Sequence, residues 1–209
     1  GGYNTIRNIK LNGQDNVTTV LALNGTSNRI INVITQKGVN GIWFSSWCNS
    51  NIIENLSSMF NTGYGMLVQG IANTVNTLRD IKLRENTGSG LGLFGYTVGM
   101  SFDKMVIESN HKYGAYIFAS TPGAGQYDVN EYHSFNHAYF EGNNTDNAGY
   151  VDLYVGAYAA SGFPTNMTFN TTTLSGDVNI ANGHDTKFNL LGVINFTVSA
   201  NSTGITVDR

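Results

Sequence analysis

A single cysteine, Cys48, and two prolines, Pro122 and Pro164, stand in 209 residues. One thiol rules out an internal disulfide framework and a cysteine-based zinc site, and it reads most simply as a small buried hydrophobe. Charge is scarce too: 12% of residues are Asp, Glu, Lys or Arg, about half the usual share. The net charge of −3 comes with no basic stretch, which argues against a nucleic-acid partner held by phosphate contacts. No apolar run is long enough to span a membrane as a helix, and no charged-then-apolar leader opens the chain. No segment keeps a helical period over three turns. The chain starts Gly1-Gly2 without a methionine, which reads as a piece of a longer protein.

Asparagine and glycine fill the vacated places, with 28 Asn and 25 Gly. Their positions recur. The apolar residues Ile6, Ile30, Ile53, Leu78, Phe102, Phe135 and Phe169 are spaced by 24, 23, 25, 24, 33 and 34 residues. Two positions on from these stand Asn8, Asn32, Asn55, Asp80 and Lys104, and next to them Ile9, Val33, Leu56, Ile81, Met105 and Ala138. The same frame yields Leu83, Ile107, Phe140 and Leu174, then Asn61, Asn86, Asn110 and Asn143, with Asp177 after them. A glycine opens the following segment at Gly41, Gly65, Gly90 and Gly114. Independent columns sharing one frame mark a repeat architecture.

Each repeat holds short apolar–polar alternations, such as Leu91-Gly92-Leu93 and Ala115-Tyr116-Ile117, which read as strands. Gly and Asn between them accept positive φ at tight bends. A unit of about 24 residues cannot bury its apolar face alone and must stack on its own copies. Stacked parallel strands lie ~4.8 Å apart, so equivalent residues form ladders: an aliphatic-then-aromatic stack inside and an Asn ladder at one corner. The predicted fold is all-β, a right-handed parallel β-helix of about 24-residue coils forming one domain over 1–209, with 178–209 as a capping or transition segment. Two intervals are about ten residues longer, near Thr121–Glu131 and near Gly156–Met167. Both follow the glycine-opened strand, so both leave from the same corner of neighbouring coils. Such insertions form either a groove wall or a subunit contact.

The alignment of coils puts Glu108 and Glu141 in one column with Arg84, and Glu54, Arg79 and Asp103 in another. Carboxylates on adjacent coils lie ~5 Å apart, a spacing suited to retaining glycoside hydrolysis, where mutual repulsion raises one pKa as a general acid requires. Glu108 and Glu141 are the candidate catalytic pair; Glu54, Arg79 and Asp103 read as a surface charge ladder. His133 and His137 lack a metal-binding pattern, so no metal and no cofactor is expected. Next to the inward Ile42, Leu91 and Ile117, the residues Trp43, Phe94, Tyr116, Phe118 and Tyr154 should point outward. Sugar rings stack their C–H faces on such side chains; a subunit seam would also use them. The candidate binding residues are Trp43, Tyr116 and Tyr154, with Tyr127 and Asp128 from the first insertion.

The elements Asn51-Ile52-Ile53-Glu54-Asn55-Leu56, Asn61-Thr62-Gly63-Tyr64-Gly65 and Tyr139-Phe140-Glu141-Gly142-Asn143 resemble the right-handed β-helix family of pectate lyases, polygalacturonases and bacteriophage tailspikes, over roughly residues 3–177. Of the polygalacturonase signatures, Asn144-Thr145-Asp146 matches the first and Gly183-His184-Asp185 only grazes another; the remaining ones do not follow in order. No Asp-rich strand provides the calcium cluster of a pectate lyase. With its low charge, irregular insertions and outward aromatics, the chain is most similar to phage tail appendages. That resemblance implies a homotrimer on an extracellular virion tail, binding a host cell-surface polysaccharide or teichoic acid and in many cases hydrolysing it. A non-catalytic trimeric shaft or adhesin, and a free secreted polysaccharide lyase, are the alternatives.

Overall fold

Simple alternation does not account for the long strands. In Arg29–Gln36 the inward side chains are Ile30, Val33 and Thr35, a step of three followed by a step of two. The extra residue is Asn32, held at φ 55°. One residue in the left-handed region shifts the side-chain phase by one and bends the strand, and Asn tolerates that conformation better than most. Asn8, Asn55, Asp80, Lys104 and His137 make the same bend at φ 56°, 52°, 55°, 55° and 55°. This geometry is the reason for the polar column two positions after each inward aliphatic. The first three amides also bond along the stack, Asn32 Nδ2 donating to Asn8 Oδ1 at 2.9 Å and Asn55 Nδ2 to Asn32 Oδ1 at 2.8 Å.

The computed structural model describes residues 3–208 apart from 71, 120–129, 147, 158–163 and 192–194. The described residues contain strands and turns but no helix, and the chain winds as a right-handed parallel β-helix. Among the described residues the first sheet has ten strands, among them Arg29–Gln36, Ile52–Met59, Thr77–Arg84 and Ser101–Glu108. The second has eight, including Asn40–Phe44, Met66–Val68, Leu91–Phe94, Ala115–Ala119 and Leu153–Ala157. A third side consists of Asn73–Thr74, Thr97–Val98 and Asn130–Glu131. All pairings are parallel, with Ile6, Ile30, Ile53, Leu78, Phe102, Phe135, Phe169 and Phe188 in continuous register. From Phe169 onward the coil shortens to 19 residues, Phe169 facing Phe188 and Phe188 facing Val207, so Val178–Ile180, Lys187–Leu191, Phe196–Val198 and Thr206–Asp208 continue the same sheets.

The interior follows from this register. Phe102, Phe135, Phe169 and Phe188 stack ring on ring with centroids 4.6, 4.6 and 4.8 Å apart and planes within 8°. That repeat matches the ~4.8 Å strand spacing. At the corner between the first and second sheets an amide ladder runs parallel to it, fully buried at Asn61, Asn86 and Asn110 and half-buried at Asn143. Asn61 Nδ2 donates to Asn86 Oδ1 at 2.9 Å, Asn86 to Asn110 at 2.9 Å and Asn110 to Asn143 at 2.8 Å. Each Oδ1 also accepts the backbone N–H one coil below, as in Asn61 N to Asn86 Oδ1 at 3.0 Å. The ladder leaves no room across the corner: a Cβ at Gly65 would sit 2.7 Å from Asn86 Nδ2, and one at Gly114 would sit 2.8 Å from Asn143 Nδ2. The recurrent glycine is there for that close approach.

Candidate functional site

Tyrosine collects on the outer face of the second sheet. Trp43, Leu67, Gly92, Tyr116 and Tyr154 occupy one outward column in successive rungs. Gly92 leaves a gap that Tyr64 and Phe94 fill, both with ring atoms 2.7 Å from where its Cβ would be. From there the rings are continuous. Tyr64 meets Phe94 at 5.7 Å, Phe94 meets Tyr116 at 5.4 Å, and Tyr116 contacts Phe118 at 5.4 Å and Tyr154 at 5.1 Å. Tyr113 stacks on Tyr116 at 4.7 Å and touches Tyr150 at 4.9 Å and Tyr154 at 5.5 Å. All of these side chains are half-buried. Burial raises the Tyr116 hydroxyl to about 12, with Tyr154, Tyr113 and Tyr64 adding to the effect. Tyr64, Tyr113 and Tyr154 are raised for the same first reason. The shelf therefore presents neutral phenols that both donate and accept hydrogen bonds over flat apolar rings.

Of the residues expected from the sequence, Tyr116 and Tyr154 sit at the centre of this shelf as register partners. Trp43 lies on the same face three rungs away, beyond the ring cluster, and its indole Nε1 is buried with no hydrogen-bond partner. Tyr127 and Asp128 lie outside the described residues. Glu108 and Glu141 are register partners on adjacent strands, on the outer face of the first sheet and round the corner from the shelf. Arg84 Nη1 lies 3.8 Å from Glu108 Oε1, and Tyr139 donates its hydroxyl to Glu141 Oε2 at 2.7 Å. That bond is the first cause of the raised Tyr139 hydroxyl. The Glu54–Arg79–Asp103 column forms a surface ladder, with Arg29 added at one end and His137 at the other, at 3.7, 3.7, 3.7 and 3.2 Å. His133 and His137 do not converge: His133 is inside and His137 outside.

The two long insertions span equivalent places. Ala119 and Ala157, the last strand residues before them, are register partners, and Glu131 bridges Thr165 where the chain returns. The repeat frame concealed a third insertion. The corner from ladder Asn to the next strand takes four residues from Asn61 to Gly65, from Asn86 to Gly90 and from Asn110 to Gly114, but nine from Asn143 to Asp152. The expectation that Asp177 ends the ladder is corrected here: Asn143 Nδ2 donates to Asp152 Oδ1 at 2.7 Å. Asp152 takes the glycine position, its carbonyl accepting Ala115 N as Gly114 accepts Leu91 N, and Asp177 takes the next rung by accepting Leu153 N. The lengthened corner carries Tyr150 into the shelf and Asp146 to within 2.9 Å of His111 Nδ1, while Lys112 Nζ lies 5.8 Å over the Tyr150 ring.

A cavity of about 190 Å³ opens at this corner, lined by Asn143, Asn144, Tyr150, Val151, Asp152, Gly176 and Asp177. Asp152 forms its floor at 3% exposure. Its Oδ2 has no well-formed hydrogen bond and lies close against Gly176, where a Cβ would be 2.7 Å away. Burial raises the Asp152 carboxyl; the Asn143 side-chain amide and the backbone N–H groups of Gly176 and Asn143 work against that rise, and Asp177 adds a smaller upward push. Sequence reasoning missed Tyr64, Tyr113, Tyr150 and Asp152. The available signal was positional, since Tyr64 and Tyr113 each immediately precede a corner glycine.

No protein-family model and no curated protein matches the sequence. Among solved structures the chain is similar to pectate lyase Pel9A, with a TM-score of 0.54 at 13% identity over 85% of this chain and 55% of that one. The chain therefore spans little more than half the length of the lyase, and the likeness establishes the fold. A second structure, QnrB1, a plasmid-mediated fluoroquinolone resistance protein, aligns at a TM-score of 0.28 and 11% identity over 100% of this chain and 92% of that one, and carries no argument.

Proposed function

We propose that this chain is a polysaccharide-binding β-helix that holds its glycan along the tyrosine shelf of the second sheet. The carrying observation is the continuous, half-buried set of Phe94, Tyr116 and Tyr154 on the second sheet with Tyr64, Tyr113 and Tyr150 reaching it from the corner, which offers hydroxyls at the ring edges. Successive rungs offer aromatic surface every ~4.8 Å, which suits an extended chain of pyranose rings. The shared fold with a pectate lyase supports a polysaccharide ligand. The low charge, the Asn and Gly content and the insertions leaving one corner support the finer reading: the receptor-binding part of a phage tail appendage, extracellular and homotrimeric, recognising a host surface glycan.

Cleavage is a second step on this reading, supported by the paired rungs of Glu108 and Glu141. Strand spacing sets their backbones ~4.8 Å apart, near the separation used by retaining hydrolases. Binding to immobilised bacterial envelope polysaccharides tests the proposal. Tyr116→Ala removes the ring touching four others and should weaken binding about tenfold, about 1.4 kcal/mol. Unchanged binding in Tyr116→Ala, or a trimer in sedimentation with the shelf protected and no glycan bound, favours the shaft reading instead. Release of reducing ends that disappears in Glu108→Gln and Glu141→Gln would establish the catalytic pair.

A further inference from the structure

Resting on the polysaccharide reading above, we propose that the corner cavity beside the shelf is a subsite for an amino sugar, with Asp152 and Asp177 pairing with its ammonium while Tyr150 flanks the ring. Three observations lead there. Asp152 is almost wholly buried yet keeps one carboxylate oxygen without a well-formed hydrogen bond, on the floor of a cavity of about 190 Å³. The backbone N–H of Gly176 offers that oxygen only a poorly aligned contact, so it keeps capacity for a better-placed donor. Asp177 stands one rung away at the exposed rim, holding a single amide from Asn195 Nδ2 at 2.8 Å on its Oδ1. The two carboxyls thus face one space from successive coils.

Charge selects the ligand. Residues 113–209 carry eight carboxylates against two basic side chains, Lys187 and Arg209. Lys112, the nearby cation, is committed to the face of Tyr150 and does not line the cavity. A uronate or a phosphodiester would meet two like charges at the floor and rim, and a neutral hydroxyl would satisfy Oδ2 without using Asp177. An ammonium answers both carboxylates at once, and the adjoining aromatic rings attract cations through their faces. Asn143 and Asn144 add amide groups for the sugar hydroxyls. The cavity has room for the substituted edge of one pyranose, and the remaining sugars continue onto Tyr113, Tyr116 and Tyr154.

The test compares a glucosamine oligomer, its fully N-acetylated counterpart and calcium ion by calorimetry, in mildly acidic buffer that keeps the amines charged. The glucosamine oligomer is expected to bind at least about tenfold more tightly than the acetylated one. Asp177→Asn should abolish that preference, and the isosteric Asp152→Asn should do the same while retaining the acceptor for Asn143. Tyr116→Ala should weaken both oligomers alike and leave their ratio intact. Equal binding of the two oligomers, or a preference that survives Asp177→Asn, overturns the inference while leaving the polysaccharide reading standing. Failure of every oligosaccharide and envelope polysaccharide to bind removes the polysaccharide reading itself. Calcium binding with no oligomer preference also overturns the inference.

Discussion

Acid should loosen this coil through one imidazole. His133 lies in the inward column that begins Asn4, Asn28, Asn51, Asn76, and it is 1% exposed. Met100 N donates to its Nδ1 at 3.3 Å, so the ring proton belongs on Nε2, which faces Thr97 Oγ1 at 3.2 Å. Thr97 in turn donates to Asn130 Oδ1, and Asn130 Nδ2 to the Phe118 carbonyl at 3.1 Å. A second ring proton would confront the Met100 N–H donor in an apolar interior. Burial accordingly lowers the His133 pKa to about 3 from 6.5. The unfolded chain takes up that proton first, so the stabilisation is complete above pH 6.5 and is lost as pH falls from 6.5 towards 3. At about 1.36 kcal/mol per pH unit the loss is about 2 kcal/mol by pH 5 and approaches about 5 kcal/mol once both states are protonated. The check is urea unfolding from pH 7 to pH 4, run beside His133→Asn. Asn restores the ladder residue of the earlier coils, and its Oδ1 can accept Met100 N as Asn76 Oδ1 accepts Asn51 N at 3.0 Å. The smaller side chain leaves a void of some tens of Å³, which costs about 1 kcal/mol at neutral pH. Asp152, whose raised carboxyl pushes stability the opposite way, is common to both proteins and cancels in the difference. If wild type and variant show parallel stability–pH curves between 6.5 and 4, the account of His133 is wrong.

Two further perturbations separate buried from exposed polar order. Asn86→Ala removes the acceptor of Asn61 N and Asn61 Nδ2 and the donor to Asn110 Oδ1, all buried, and should cost about 2–5 kcal/mol in urea unfolding; a loss below about 1 kcal/mol would mean the ladder contributes little. Arg79→Ala breaks two ion pairs of 3.7 Å on a side chain 51% exposed, and should change stability by less than about 1 kcal/mol. That small effect should shrink further with added salt, since exposed pairs are screened.

The fold was legible because stacking makes every coil restate the same constraint. Ile30, Ile53 and Leu78 need apolar side chains for one shared reason, and Asn61, Asn86 and Asn110 need amides for another. Repetition lifts such columns above the noise of a single sequence. The purpose of the Asn32 and Asn55 column was not legible, because a left-handed bend leaves no periodic mark of its own within an eight-residue strand.

The candidate site was half legible, for a reason that lies in the geometry of two sheets sharing one chain. The outward positions of Tyr116 and Tyr154 follow from strand alternation, which is local. Tyr64, Tyr113 and Tyr150 reach the shelf from the corner, where backbone direction changes and alternation says nothing. Asp152 was lost to a conflict of frames. Measured along the first-sheet side, Asn143 to Asp177 is 34 residues and continues the ladder; measured along the second sheet, Asp152 to Asp177 is 25 and continues the glycine column. The two frames agree through Gly114 and part company at the nine-residue corner, so an alignment fixed on the first cannot see a residue that belongs to the second. Insertions in a solenoid are where its columns cease to predict one another. They are therefore also where a buried carboxylate can replace a glycine and keep an oxygen for something outside the chain.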